Sequence, residues 1–134
     1  MAQIASKTYI EAIGRRKCAV ARLRLTEATK TGWRVNDKPL ETYFATEELC
    51  RTAQAPFDII HGKKVAISVH VRGGGTHAQA EAISLALARA LERLEGDLRA
   101  PLKKAKLLAR NPREKERRKF GLKKARKSPK WSKR

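Results

Sequence analysis

The chain has 134 residues, and its 32 Lys and Arg against 13 Asp and Glu give a formal net charge of +19. That length accommodates one compact domain, alone or with an extension, and the charge selects a polyanionic partner. No stretch approaches the roughly 18–20 apolar residues of a membrane span. The opening MAQIASKTYIEAIG has neither a hydrophobic signal core nor an Arg-rich presequence, so a cytoplasmic protein is expected.

Along the chain, TYIEAI (8–13) and CAVARLRL (18–25) alternate as strands, with Gly14, Arg15, Arg16 and Lys17 between them as a turn. In the second strand Ala19, Ala21, Leu23 and Leu25 share a dry face. Val20, Arg22, Arg24 and Thr26 share a largely polar one. GWRVN (32–36) predicts a third strand, followed by a turn over Asn36, Asp37, Lys38 and Pro39. Thr46-Glu47-Glu48 suits a helix start, running to about Gln54 before Pro56 stops it. His61-Gly62 is another turn, and KVAISVHV (64–71) is the strongest strand pattern. Thr76 then caps a helix to about Glu95, closed by Gly96, with Ala80, Ile83, Leu87, Leu91 and Leu94 as its apolar stripe. DLRAPLKKAKLL predicts a shorter helix. The order β-β-β-α-β-α indicates an α+β layer of helices on one sheet.

Charge divides the chain unevenly. Residues 1–100 carry 16 Lys and Arg against 11 Asp and Glu, whereas residues 101–134 carry 16 against 2. The boundary is placed at 109: a globular α+β RNA-binding domain over 1–109 and an extended basic C-terminal tail over 110–134. The tail has Pro112 and Pro129, few apolar residues and no sustained period, with a short helix possible near 121–127. Alone in water such a segment does not offset its ordering entropy. Its mixture of Arg with Lys suits bidentate phosphate contact, and Phe120 and Trp131 can stack on bases or sugars. A generic polybasic localisation arm is the plainer alternative. Extended, the 24 residues from Asn111 reach ~80 Å, against a radius of gyration of about 13 Å for the body.

Two further clusters bear on anion binding. Gly73-Gly74-Gly75 joins a strand to a helix start, where bare N–H groups and the helix dipole can hold a phosphate. A tight turn needing positive φ explains the same residues, and a mononucleotide pocket is the weakest alternative because no Lys-Ser/Thr follows. Gly14-Arg15-Arg16-Lys17 is either a solvated turn or a phosphate contact. His61, His70 and His77 lack acidic or cysteine partners, so they are read as ordinary polar residues, and no metal is expected. No cofactor is expected either. Cys18 and Cys50 belong to no paired motif and are read as small buried apolar residues. Scattered single carboxylates and the absence of G-x-S-x-G or H-E-x-x-H leave no catalytic residues. A DNA-compacting protein and a sugar-kinase-type enzyme are the alternatives to an RNA-binding structural protein.

GRRKCAVARLRL (14–25), VNDKPLETYF (35–44), VRGGGTHAQAEAISLALARAL (71–91) and NPREKERRKFGLKKARKSPKWSKR (111–134) occur in that order. Together they resemble the ribosomal protein S-nine family in its bacterial form. The resemblance implies the fold of the second domain of ribosomal protein S-five: a mixed four-stranded sheet with helices on one face and a left-handed β-α-β crossover, against the usual hand. It implies a structural protein of the small subunit, bound to the 3′ major domain of rRNA in the head beside neighbouring ribosomal proteins, its tail reaching peptidyl-site tRNA. The rRNA contacts expected are Arg15, Arg16 and Lys17; Arg72, Gly73, Gly74 and Gly75; and, in the tail, Arg113, Arg117, Arg118, Lys119, Lys123, Lys124, Arg126, Lys127 and Lys130. Ser132, Lys133 and Arg134 are expected at the tRNA. Two departures from the family pattern stand out: Ala78 where a Gly is usual, and Asn111 where an Asp is common.

Overall fold

The computed structural model describes residues 9–59 and 64–134. The expected His61-Gly62 turn lies outside them. Five strands form one sheet: β1 (Ile10–Arg16), β2 (Ala19–Glu27), β3 (Gly32–Val35), β4 (Lys38–Pro39) and β5 (Val65–Arg72), in the order β1-β2-β5-β3-β4. β1 and β2 pair antiparallel, as do β2 and β5, while β3 runs parallel to β5. The helices are α1 (Leu40–Tyr43), α2 (Glu47–Gln54), α3 (Thr76–Leu94) and α4 (Arg99–Lys104). The architecture is therefore mixed α+β. Its sheet has five strands where four were expected, because Lys38 and Pro39 pair with Val35 and Arg34 as a short edge strand instead of completing a turn. The turn is confined to Asn36 and Asp37, both at positive φ, which is the geometry that matches strand twist in a two-residue hairpin.

Period-2 alternation sets the layers. Ala12, Gly14 and Arg16 of β1, Ala19, Ala21, Leu23 and Leu25 of β2, and Val65, Ile67, Val69 and Val71 of β5 are buried on one face. All the helices that bury these residues lie on that face. α3 packs along β1 and β2 and takes α2 on its other flank, so Ala82 through Ala88 form an unbroken buried run instead of the single stripe expected. Each Leu or Ile removed from water here stabilises the fold by about 1.5–3 kcal/mol. Leu102 of α4 is fully buried, and Leu107 and Leu108 pack against the same core.

The first hairpin turns later than expected. Gly14, Arg15 and Arg16 continue β1, and the reversal is made by Lys17 and Cys18, with Lys17 at φ 50°. Gly14 is selected by contact rather than by a turn: a Cβ there would lie 1.9 Å from the Ala82 carbonyl oxygen and 2.5 Å from the Ala86 nitrogen. Only a glycine lets the backbones of β1 and α3 approach this closely. Cys18 is consequently exposed at the hairpin tip and not buried. Cys50 is half-buried, and burial, with Glu41 and Glu47 nearby, pushes its thiol pKa up.

Other boundaries shift by a residue or two. Gly75, not Thr76, is the residue before α3, and no side chain caps that end. α3 stops at Leu94, and Gly96–Leu98 is a separate 3₁₀ turn leading into α4. α4 closes with Lys106 at φ 59°, the Lys106 N–H donating to the Lys103 carbonyl and the Leu107 N–H to the Leu102 carbonyl. This is the Schellman arrangement with Lys in the place usually taken by glycine. Beyond it, residues 110–134 contain no helix or strand. The segment near 121–127 makes turns and bends around Gly121 at φ 76°, not the short helix expected.

Candidate nucleic-acid interface

Three segments distant in sequence meet at one end of the sheet. The β1–β2 turn, the C-terminal end of β5 and the start of α3 lie together because Val20 of β2 pairs with Arg15 on one side and Arg72 on the other. Gly73 and Gly74, at φ 76° and 66°, tuck against the hairpin: a Cβ on Gly73 would sit 2.5 Å from the Cys18 carbonyl oxygen, and one on Gly74 3.1 Å from the Ala19 nitrogen. The tight-turn explanation of the glycine triplet therefore holds for its first two members. Gly75 is extended, exposed and free of such contacts.

A polar relay braces this loop. The Asn36 side chain continues the β3–β5 ladder past its last backbone pair, donating to the Val71 carbonyl and accepting from the Val71 N–H, both at 2.9 Å. Tyr43 donates to Gln79 at 2.8 Å, and Gln79 donates to the Gly73 carbonyl at 3.1 Å. Ala78 sits buried in the first turn of α3 beside it.

The tail begins at the same place. Arg16 turns to the helix side and is buried. Its Nε is 2.5 Å from a Glu81 carboxylate oxygen, and one terminal nitrogen donates to the carbonyls of Asn111 at 3.1 Å and Arg113 at 2.6 Å. Asn111 also accepts from the Arg113 N–H at 3.0 Å, the local bond a side-chain oxygen at this position can make. Arg16, expected at rRNA, is thus occupied within the molecule. Arg15 and Lys17 remain exposed on the hairpin, as do Arg72 and the three glycines.

In the tail, Arg113, Arg117, Arg118, Lys123, Lys124, Arg126, Lys127, Lys130, Ser132, Lys133 and Arg134 are exposed and Lys119 is half-buried. Glu116 pairs with Lys119 and, at 2.8 Å, with Arg126, which curls this stretch. Phe120 and Trp131 are fully or nearly fully exposed, at 106% and 85%. Large aromatics without any apolar cover suit a face that stacks on a ligand.

The opposite, open face of the sheet carries residues not among those expected at RNA. Register places Arg22, Arg24 and Arg34 there with Arg15, Arg72 and His70. The alternation of CAVARLRL was the available signal. Among the described residues no group of three His, Cys, Asp or Glu side chains could hold a metal, and no helix is long and apolar enough to cross a membrane.

Fold and surface together define a small basic α+β protein with cations gathered on one sheet face, one loop cluster and one tail. The profile described as "Ribosomal protein S9/S16" matches residues 14–134. The chain is 45% identical over 129 residues to the small ribosomal subunit protein uS9 of Chlorobium phaeovibrioides, covering 96% of this chain and 99% of that one. It is 44% identical over 126 residues to the uS9 protein of Saccharopolyspora erythraea, with 93% and 82% covered, and 45% identical over 123 residues to that of a Synechococcus species, with 90% and 89% covered. The chain belongs to the ribosomal protein S9/S16 family, structural and non-enzymatic constituents of the small ribosomal subunit.

Proposed function

We propose that this protein binds rRNA of the small-subunit head, in the 3′ major domain, and that its tail extends to peptidyl-site tRNA. The body over 1–109 docks, and the tail over 110–134 is the arm. The fold is assigned to the type of the second domain of ribosomal protein S-five, with a left-handed crossover between β3 and β5. One observation carries the reading: Arg15, Lys17, Arg72 and the root of the tail, far apart in the chain, converge at one end of the sheet.

Such an end presents phosphate-seeking groups from three directions, and Gly75 leaves the uncapped N–H groups of α3 open to an anion. A-form grooves give side chains little base access, so affinity comes chiefly from neutralised phosphates. The tail cations follow the backbone, Phe120 and Trp131 stack, and Ser132, Lys133 and Arg134 meet the tRNA. Neighbouring head proteins complete the site.

The test is direct binding of the full chain to transcribed 3′ major domain rRNA across a salt series. A steep fall of affinity with salt is expected, and a salt-insensitive complex overturns the reading. Removing Lys133 and Arg134 is expected to leave assembly intact while weakening peptidyl-site tRNA retention, each charge-assisted contact contributing roughly 1 kcal/mol when partly screened. Failure of that truncated protein to assemble would place the role of these residues elsewhere.

A further inference from the structure

The sheet separates two basic surfaces. Arg16 passes to the helix side and holds the root of the tail there, while the open side carries its own set of cations. On that side the pairing runs Arg15–Val20–Arg72, then Ile13–Arg22–His70, then Glu11–Arg24–Ser68–Arg34. Five guanidinium groups thus stand on the strands of one face against one carboxylate, Glu11. That carboxylate is shared between Arg22 at 3.7 Å and Arg24 at 3.4 Å, so it neutralises one of them at most. Among the described residues no helix covers the face, and Ile13, on the outer strand β1, remains 43% exposed.

The shape matches the charge. A concavity of about 510 Å³ has Ile13 and Val20 in its floor and Arg15, Arg22, His70 and Arg72 around it. Adjacent strands lie about 4.8 Å apart and same-face residues about 6.8 Å apart along a strand. Successive phosphates along one nucleic-acid strand recur at a comparable spacing, so neighbouring arginines can each take one. The apolar floor suits the sugars between them. Rigid strands supply this spacing in advance, without the ordering cost carried by the tail.

We infer that the open sheet face is a second RNA-binding platform, taking the sugar-phosphate backbone of a structured RNA segment through Arg22, Arg24 and Arg34 together with Arg15 and Arg72. It deepens the proposed function and rests on it: the body grips RNA on the side of the sheet opposite the tail root, so one molecule ties two RNA segments together. Charge complementarity selects RNA over an acidic protein segment, because the cations spread over four strands in place of lining one groove.

The experiment uses the full chain with transcribed 3′ major domain rRNA, comparing wild type with the triple variant Arg22→Gln, Arg24→Gln, Arg34→Gln. All three side chains are exposed, and a thermal melt by circular dichroism confirms that the variant folds. Affinity is expected to fall at least about tenfold, with the salt slope shallower by about two. Hydroxyl-radical footprinting is expected to lose one protected segment and keep those made by the tail. Unchanged affinity and footprint in the variant, with a wild type that binds in a salt-dependent manner, overturns the platform and leaves the broader reading standing. Loss of a neighbouring protein from assembled subunits with the RNA footprint intact overturns it in favour of a protein partner. A wild type that does not bind this RNA overturns both.

Discussion

The guanidinium of Arg16 has three partners, and all of them are intramolecular: the Glu81 carboxylate and the carbonyls of Asn111 and Arg113. A planar fork serves this arrangement in a way a lysine cannot, because one end meets the carboxylate while another spans two carbonyls. The Arg16 side chain is only 11% exposed but that of Glu81 is 44% exposed, so water can rescue the carboxylate if its partner goes. Arg16→Ala is therefore expected to cost about 1–2 kcal/mol, below the range for a fully buried pair, with Arg16→Lys in between. Urea unfolding measures the loss. Trypsin cleavage after Arg110 and Arg113 should accelerate several-fold in the alanine variant, and an unchanged rate would show that the bonds do not hold the tail root. Gly14 makes the opposite demand, for no side chain at all. With helix backbone less than 3 Å from any Cβ, Gly14→Ala must separate β1 from α3, and a loss of roughly 3 kcal/mol is expected in the same assay. A loss under about 1 kcal/mol would mean that the two backbones yield easily.

Between elements, the pairing of α3 with β1 is reinforced at the sheet edge. β1 is an outer strand, and Arg89 and Arg93 of α3 donate to the Ile13 and Glu11 carbonyls. Four helical residues advance about 6 Å and two strand residues about 6.8 Å, so an i, i+4 pair on the helix meets an i, i+2 pair on the strand. Two arginines that composition would assign to a polyanion instead satisfy edge carbonyls, a place where another chain could otherwise pair. The double variant Arg89→Ala, Arg93→Ala is expected to self-associate with rising concentration in sedimentation velocity while wild type stays monomeric. A monomeric double variant would remove this role. Strands and long helices were legible in the sequence because alternation and the 3.6-residue period are direct images of burial, as in KVAISVHV and the Ala80–Leu94 stripe. The hairpin was misplaced because GRRK looks like a polar turn, while the reason for Gly14 lies across the core in Ala82 and Ala86. β4 and α1 were missed since two and four residues carry no readable period. The end of α4 was hidden by Lys106 standing where a glycine would have marked it. At the candidate interface the cations were plain in the sequence, but their distribution between the exposed surface, Glu81 and the sheet edge depends on long-range contacts.

Over the whole molecule, the body and the tail obey different balances. The body places Leu23, Leu25, Ile67, Leu87 and Leu91 almost wholly out of water, which suffices to order its chain. Past the Arg16 clasp, residues 114–134 have 11 Lys and Arg and only two acidic side chains, Glu114 and Glu116. Glu114 faces Arg110 at 3.8 Å, and Glu116 serves Lys119 and Arg126. Exposed pairs of this kind contribute 0 to about 1 kcal/mol each, whereas fixing each residue costs about 1–2 kcal/mol. Three pairs over two dozen residues fall far short, so the curl around Glu116 cannot persist unaided. The RNA proposed as its partner would change the sum by supplying many counter-charges, and base faces for Phe120 and Trp131, at once. Amide hydrogen exchange should then show residues 114–134 exchanging at the free-chain rate within seconds in the isolated protein, while the strands stay protected for far longer. Assembled into the small subunit, the same segment should become protected, and the gain should fade as salt rises. Strong protection of 114–134 in the isolated protein would mean that the tail orders itself, and the division of labour between body and arm would have to be abandoned.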